Sequence, residues 1–409
     1  MSLSIKMLSN DNSNIKILTY NKEYILTRYL YAKDEVEIML LSAILTKNIE
    51  ESYYWCFELY YSGFILSDLI WKIYYDFYFD KNPKLEIFIR KKLSTDVSID
   101  TYIHIIQNFI NRLHTCKVFT IRQFIGKLID NELLENNIDH KKYSLRGRKP
   151  IFCKLIDKKY QNLMIFINKK NYEGIAYHIY NLFIINNSSY YDLFVNLLRY
   201  THNINNKKSA EEFEKSYNDN YCNIQYNKFI KINKGKNLPM CYLFIAFIVN
   251  IMTLMENDSR ESSINILDKS SASYIIEHEQ KQIDKVYNTL KIKRLYNIHG
   301  IGCFRLTRNH FDDLQNDILG SWEYYTKNTP CWCDRFNKFK ASFGTKLIFE
   351  NDDLLEKFYE LYGYEPDEQN KEIQNQAIGA LEPINCNKWC KKYFKDFNQI
   401  FPDDFLLIF

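Results

Sequence analysis

Ten basic residues crowd into the thirty positions between Lys141 and Lys170: Lys141, Lys142, Arg146, Arg148, Lys149, Lys154, Lys158, Lys159, Lys169 and Lys170, against the single acid Asp157. The segment carries +9 while the whole chain carries only +4, so the rest of the protein is −5. Clustered cations displace counterions from a phosphate backbone, which gives salt-dependent affinity for nucleic acid. Tyr143, Phe152 and Tyr160 are interleaved with them, and exposed rings there would stack on bases. Lys141, Lys142, Arg146, Arg148, Lys149, Lys154, Lys158 and Lys159 are therefore the candidate nucleic-acid contacts. Arg146-Gly147-Arg148-Lys149-Pro150 resembles the core of an AT-hook, whose Gly between two arginines lets the chain lie in a narrow minor groove. Lys149 departs from that pattern, because the hook places Pro directly after its second Arg.

Other chemistry-bearing residues give weaker patterns. Cys331-x-Cys333 and Cys386-x3-Cys390 are four thiols, but the gaps of one and three residues lie in helix-forming sequence and not on the turns that aim ligands at a structural zinc. His299-Gly300-Ile301-Gly302-Cys303 could offer backbone N–H groups to an anion, yet no third Gly follows, and nucleophile-elbow and Walker patterns are absent. For an enzyme, His299, Cys303 and His310 would be the candidates. The eight histidines never fall in HExxH or HxxxH spacing. Asp312-Asp313 and Asp352-Asp353 occupy helix first turns, where they complement the dipole. Glu350 to Glu368 holds eight acids against one lysine, a face that is solvated or receives a basic partner. No metal, cofactor or catalytic residue is expected.

Aromatic side chains cluster from Tyr53 to Tyr61 and from Trp71 to Phe79. They suit the inner layer of a helical stack, and equally a partner surface, because Tyr and Trp are favoured interface anchors. Tyr54, Tyr61, Trp71 and Tyr75 are the candidate partner contacts.

The elements that must carry these residues are helices. Only 11 Gly and 7 Pro occur in 409 residues, too few for the turns and phosphate loops of sandwiches, barrels and dinucleotide-binding folds. At 46% apolar and 25% charged, the chain is a folded one with a large core. Start and stop signals predict helices after Asp34, from Glu50 to Tyr61 with Gly63 as left-handed cap, from Ser67, in the first turn after Pro83, and from Ser98 and Thr120. Further helices are predicted over Tyr172 to Asn186 and Tyr190 to Tyr200, then after Asn309, Thr329-Pro330, Asn351 and Pro366. The expected fold is all-α, an irregular helical array or bundle with little or no β-sheet, for which HEAT-like stacking is one form. A polar Asn- and Lys-rich stretch suggests an N-terminal domain 1–200, a connection 201–237 and a C-terminal domain 238–409.

Met240 to Met255 is strongly apolar, but its 16 residues fall short of the ~20 that cross a bilayer. The start MSLSIKMLSNDNSN lacks the apolar core of a secretory leader, and the ten cysteines sit singly or in loose pairs. Reduced thiols in the cytoplasm, with no membrane contact, are expected.

The strings RYLYAKDEVEIMLLSAILTKNIEESYYWCFELYYSGF (Arg28 to Phe64) and YGYEPDEQ (Tyr362 to Gln369) resemble segments of uncharacterised helical proteins of nucleocytoplasmic large DNA viruses. The Tyr-, Asn-, Ile- and Lys-rich composition of an AT-rich genome points the same way. The resemblance implies a viral protein in the host-cell cytoplasm, working in gene expression or replication, and supplies no catalytic residues. The resulting expectation is a non-enzymatic scaffold that binds protein partners, in the manner of a translation-initiation scaffold, with an RNA or DNA contact through 141–170. The alternatives are a DNA- or RNA-binding factor acting mainly through that segment and, behind it, an enzyme with an unrecognised site.

Overall fold

A computed structural model describes residues 25–94, 97–133, 140–144, 147–206, 210–232, 236, 238–255, 303–304, 322–344, 346–363, 383–384 and 386–401. It is all-α. Among the described residues, strand pairing is confined to two ladders of two residues each and one isolated bridge: β1 (Cys303–Phe304) parallel to β4 (Pro383–Ile384), β2 (Ser342–Phe343) antiparallel to β3 (Leu347–Ile348), and Leu26 against Ala32.

The described chain forms two compact units, one of residues 117–255 and the other joining 25–116 to 303–401. The division falls at Cys116 and Lys117, not within 201–237 as the polar composition suggested. That stretch is mostly helical: α9 (Tyr190–Asn206), α10 (Ala210–Ser216) and α11 (Asp219–Ile232) run through it. Lys215, Asn218, Asn220, Asn223, Asn227, Lys228 and Lys231 are exposed, while Phe213, Cys222 and Lys236 are buried and Phe229 packs on Phe194 and Phe244 with ring centroids 5.6 and 5.0 Å apart. A polar composition therefore marks solvated helix faces here, not a connection.

In the unit 117–255, α6 (Lys117–Leu133) packs on α8 (Tyr172–Ile179) and α12 (Met240–Met255). Helix α12 is the apolar segment read from the sequence, and ten of its sixteen side chains are buried. No described helix is long and apolar enough to cross a membrane. Helix α7 (Gln161–Asn168) lies along α8, and Gly174 permits the approach: a Cβ there would stand 2.3 Å from the Phe166 ring.

In the other unit, α1 (Lys33–Leu45) and α2 (Ile49–Tyr61) pair across a three-residue connection, with α5 (Ile99–Ile110) packed on both. Helix α3 (Ser67–Ile73) widens into a π turn over Tyr74–Tyr78, and α4 (Leu85–Leu93) follows. The later helices α13 (Pro330–Lys338), α14 (Asp352–Tyr362) and α15 (Cys386–Tyr393) complete it. The segment before α1 ties α13 in. Leu26 N–H donates to the Tyr325 carbonyl at 3.0 Å, Trp332 Nε1 to the Thr27 carbonyl at 3.2 Å, and Cys331 N–H to the Ser62 carbonyl at 3.1 Å.

Helix ends follow local chemistry. The Asn48, Asn171 and Asn351 side chains accept from backbone N–H groups three residues on, the standard N-cap arrangement. Gly63 (φ +88°) closes α2 as read from the sequence: Gly63 N–H donates to Tyr60 and Phe64 N–H to Leu59. The same paired bonds close α1, α7 and α13, but there the left-handed residue is Lys47, Lys170 or Lys340. In a chain with so little Gly, lysine takes the left-handed position.

Candidate nucleic-acid interface

The cationic segment is built from two 3-10 turns and the ends of α7. The first turn, His140–Tyr143, is fastened to α8. Tyr143 stacks on Tyr177 with centroids 4.3 Å apart, and its hydroxyl donates to Glu173 Oε1 at 2.7 Å. Lys142 Nζ donates to the same oxygen at 2.7 Å, and His140 Nδ1 pairs with the Tyr177 hydroxyl. The second turn, Ile151–Leu155, is fastened to α7 by Gln161. The Nε2 of Gln161 donates to the Cys153 and Ile156 carbonyls at 2.7 and 3.0 Å, while Oε1 accepts from Lys149 Nζ at 2.8 Å.

The segment's one acid is held by α9. Asp157 N–H donates to Asn196 Oδ1 at 3.0 Å, Asn196 Nδ2 donates back to Asp157 Oδ2 at 3.1 Å, and Arg199 stands 3.7 Å from Oδ1. Lys141, Lys142, Arg148, Lys149, Lys154, Lys158, Lys159, Lys169 and Lys170 are all exposed. Arg146 lies outside the described residues.

Two expectations change. Tyr143 (8% exposed) and Tyr160 (2%) are core residues, and Phe152 packs on Tyr200 with centroids 5.3 Å apart. Those rings anchor the turns and do not present a stacking face to bases. Gly147 has φ +109°, a turn geometry and not the extended run that an AT-hook threads along a groove. What the segment offers is positive charge on backbone held from beneath.

The candidate partner contacts are corrected in the same way. Tyr54, Trp71 and Tyr75 are 6%, 2% and 2% exposed, so they fill the inner layer and cannot anchor a partner. Their rings pair internally: Tyr54 with Trp55, and Trp71 with Tyr74 and Tyr75. Tyr61 is half-buried, stacked on Phe57. An aromatic helix face reads identically whether it meets a partner or its own core, and here the core takes it.

The four thiols imagined as one zinc site go separate ways. Cys333 Sγ donates to the Lys327 carbonyl at 3.0 Å. The Cys390 thiol is within hydrogen-bonding reach of Cys386 and of Cys116, and burial, then those two neighbours, pushes its pKa well up. His114, two residues from Cys116, is oriented by the Tyr393 and Arg112 carbonyls, and burial lowers its pKa. Among the described residues no group of His, Cys, Asp and Glu is arranged to hold a metal ion. Cys303 belongs to β1, opposite Pro383; His299 and His310 lie outside the described residues, as do the helix read after Pro366 and all of the helix read after Asn309 except its end, where 322–326 are helical.

One constellation had no signal in the sequence. Glu58, fully buried, receives Arg28 Nε at 2.9 Å and Tyr29 N–H at 3.0 Å, while Arg335 approaches from α13. Arg28 and Arg335 are 307 positions apart, and neither stands in a charge run. No protein-family model, no curated protein and no solved structure matches this chain.

Proposed function

We propose that this chain works by binding and not by catalysis, as a helical scaffold whose segment 141–170 contacts the phosphate backbone of a nucleic acid. The observation that carries the reading is the division of labour within the segment. Its described cations are exposed and Tyr143 and Tyr160 are turned into the protein, while its single acid is tied to Asn196 and Arg199 of α9. A surface of that kind reads charge and not bases, so binding is expected to be insensitive to sequence. Stacking, the usual basis of a preference for single strands, has no exposed ring to draw on in this segment. Duplex RNA or DNA is therefore expected to bind at least as well as single strands. The resemblance to proteins of large DNA viruses would place this contact in the gene expression or replication of an infected cell's cytoplasm, with protein partners on the helical surfaces.

The test is a titration of labelled single- and double-stranded RNA and DNA across a salt series. The variant Arg148→Gln/Lys154→Gln/Lys158→Gln/Lys159→Gln/Lys169→Gln is measured beside the unaltered protein. If all five cations neutralise phosphates, the slope of log K against log salt falls in magnitude by about 4 to 5 for a duplex. Absence of binding by the unaltered protein at low salt would reduce the segment to a solvated face.

A further inference from the structure

Arg335 is a half-buried cation that, among the described residues, bonds to no carboxylate. Its guanidinium carbon stands 4.2 Å from the Trp332 ring centroid and 4.8 Å from that of Tyr362, two rings that meet edge to face. Its Nη1 is buried and has no hydrogen-bond partner. The carboxylate charge it feels is that of Glu58, but Glu58 is committed elsewhere, to Arg28 Nε and the Tyr29 N–H. Arg28 is itself flanked by rings, 4.5 Å from the Tyr29 centroid and 4.9 Å from that of Tyr61, and its charge opposes that of Arg335. Among the described residues, two guanidiniums thus share one buried carboxylate, and the other acid beside the cluster, Asp334, is exposed.

Burying an unpaired charge costs far more than cation–π contacts return. The rings beside Arg335 offer no hydrogen-bond acceptor to its Nη1. The planar fork of a guanidinium matches the two oxygens of a carboxylate or phosphate group. The surroundings have a mouth: Tyr61, Cys331, Arg335 and Tyr362 are all half-buried, so the cluster reaches the surface there.

We propose that Arg335, with Arg28 behind it, forms an oxyanion-binding site between α2, α13 and α14, independent of the cationic segment at 141–170. The partner that Arg335 Nη1 lacks is supplied by a bound carboxylate or phosphate group. Ligand binding then stabilises the unit made of 25–116 and 303–401.

The probes are inorganic phosphate and acetate at millimolar concentration, with sodium chloride at matched ionic strength as reference. The readouts are the thermal unfolding midpoint and calorimetric titration. Three proteins are compared: the unaltered chain, Arg335→Met, and the five-glutamine variant of the cationic segment. Met keeps the apolar stem between Trp332 and Tyr362 and removes the charge, and far-UV circular dichroism checks that it folds. The expected result is a rise of several degrees with phosphate or acetate, beyond that with chloride, in the unaltered and five-glutamine proteins. Affinity should be at least tenfold weaker in Arg335→Met. Whichever probe acts identifies the group as phosphate or carboxylate. Equal responses to the probes and to chloride overturn the site, and so does an undiminished response in Arg335→Met. A response lost only in the five-glutamine variant assigns the anion to the cationic segment, which overturns this site while supporting the proposed function.

Discussion

At the scale of single residues, environment decides what each ionisable group does. Arg28 and Arg335 show this side by side. Burial pulls both toward lower pKa, yet Arg28 ends above its ordinary value because Glu58 supplies charge and a hydrogen bond, whereas Arg335 ends below it. His178 is a third case. Its ring lies between Phe166 and Tyr177, its Nε2 is buried without a partner, and its remaining hydrogen bond goes to the Tyr143 carbonyl. Burial lowers its pKa to about 4. Because the folded state holds this proton more weakly than the unfolded chain, the unfolded state binds more protons between pH 6.5 and 4. Stability is therefore full above pH 6.5 and declines as pH falls, by about 3 kcal/mol at most once pH 4 is reached. His178→Gln keeps a donor for Tyr143 and removes the titration. The gap in urea midpoint between the two proteins should therefore shift in the variant's favour from pH 7 to pH 5. A gap that stays constant would mean that His178 titrates normally.

At the scale of elements, the lysines at the ends of α1 and α13 carry a measurable strain. An L-residue in the left-handed conformation costs roughly 1 to 2 kcal/mol, and glycine avoids that while losing roughly 0.5 to 1 kcal/mol of chain entropy. Lys47→Gly and Lys340→Gly should each stabilise the fold by about 0.5 to 1 kcal/mol, read as a higher thermal midpoint. Lys47→Ala, which keeps the penalty, should not. The ion pair of Lys340 with Glu350 at 2.7 Å is exposed and offsets little. These ends also show what the sequence could reveal. Gly63, Thr329-Pro330 and Asn351 were legible because their chemistry is local: a residue without Cβ, a proline at the first turn, an amide that reaches three residues on. The start of α6 at Lys117, before the expected Thr120, and the left-handed lysines were not legible. Both are imposed by packing and by bonds to residues already in place. The roles of Tyr143, Tyr160 and Phe152 failed for the same reason, since the ring or carbonyl that claims each lies 29 to 48 positions away.

At the scale of the whole molecule, the charge distribution separates two accounts of polyanion binding. A net charge of +4 would draw any polyanion weakly, with no dedicated surface. Alternatively the segment 141–170 binds locally, and the −5 on the remaining residues opposes it. The five-glutamine variant alone does not distinguish these, because it lowers the net charge and removes the surface together. A charge-matched control does. Lys84, Lys91, Lys346, Lys391 and Lys395 are exposed and lie in the other unit, and changing all five to Gln brings the chain to the same net −1. If affinity follows net charge, both variants lose duplex binding equally. If it resides in the segment, the control keeps its affinity and salt slope within a factor of two to three, because screening at 0.15 M salt confines exposed charges to about 8 Å. The proposed function predicts the second outcome. Equal loss in both variants would mean that the exposed lysines of 141–170 act only through the overall charge, and the binding surface would have to be sought elsewhere on the helices.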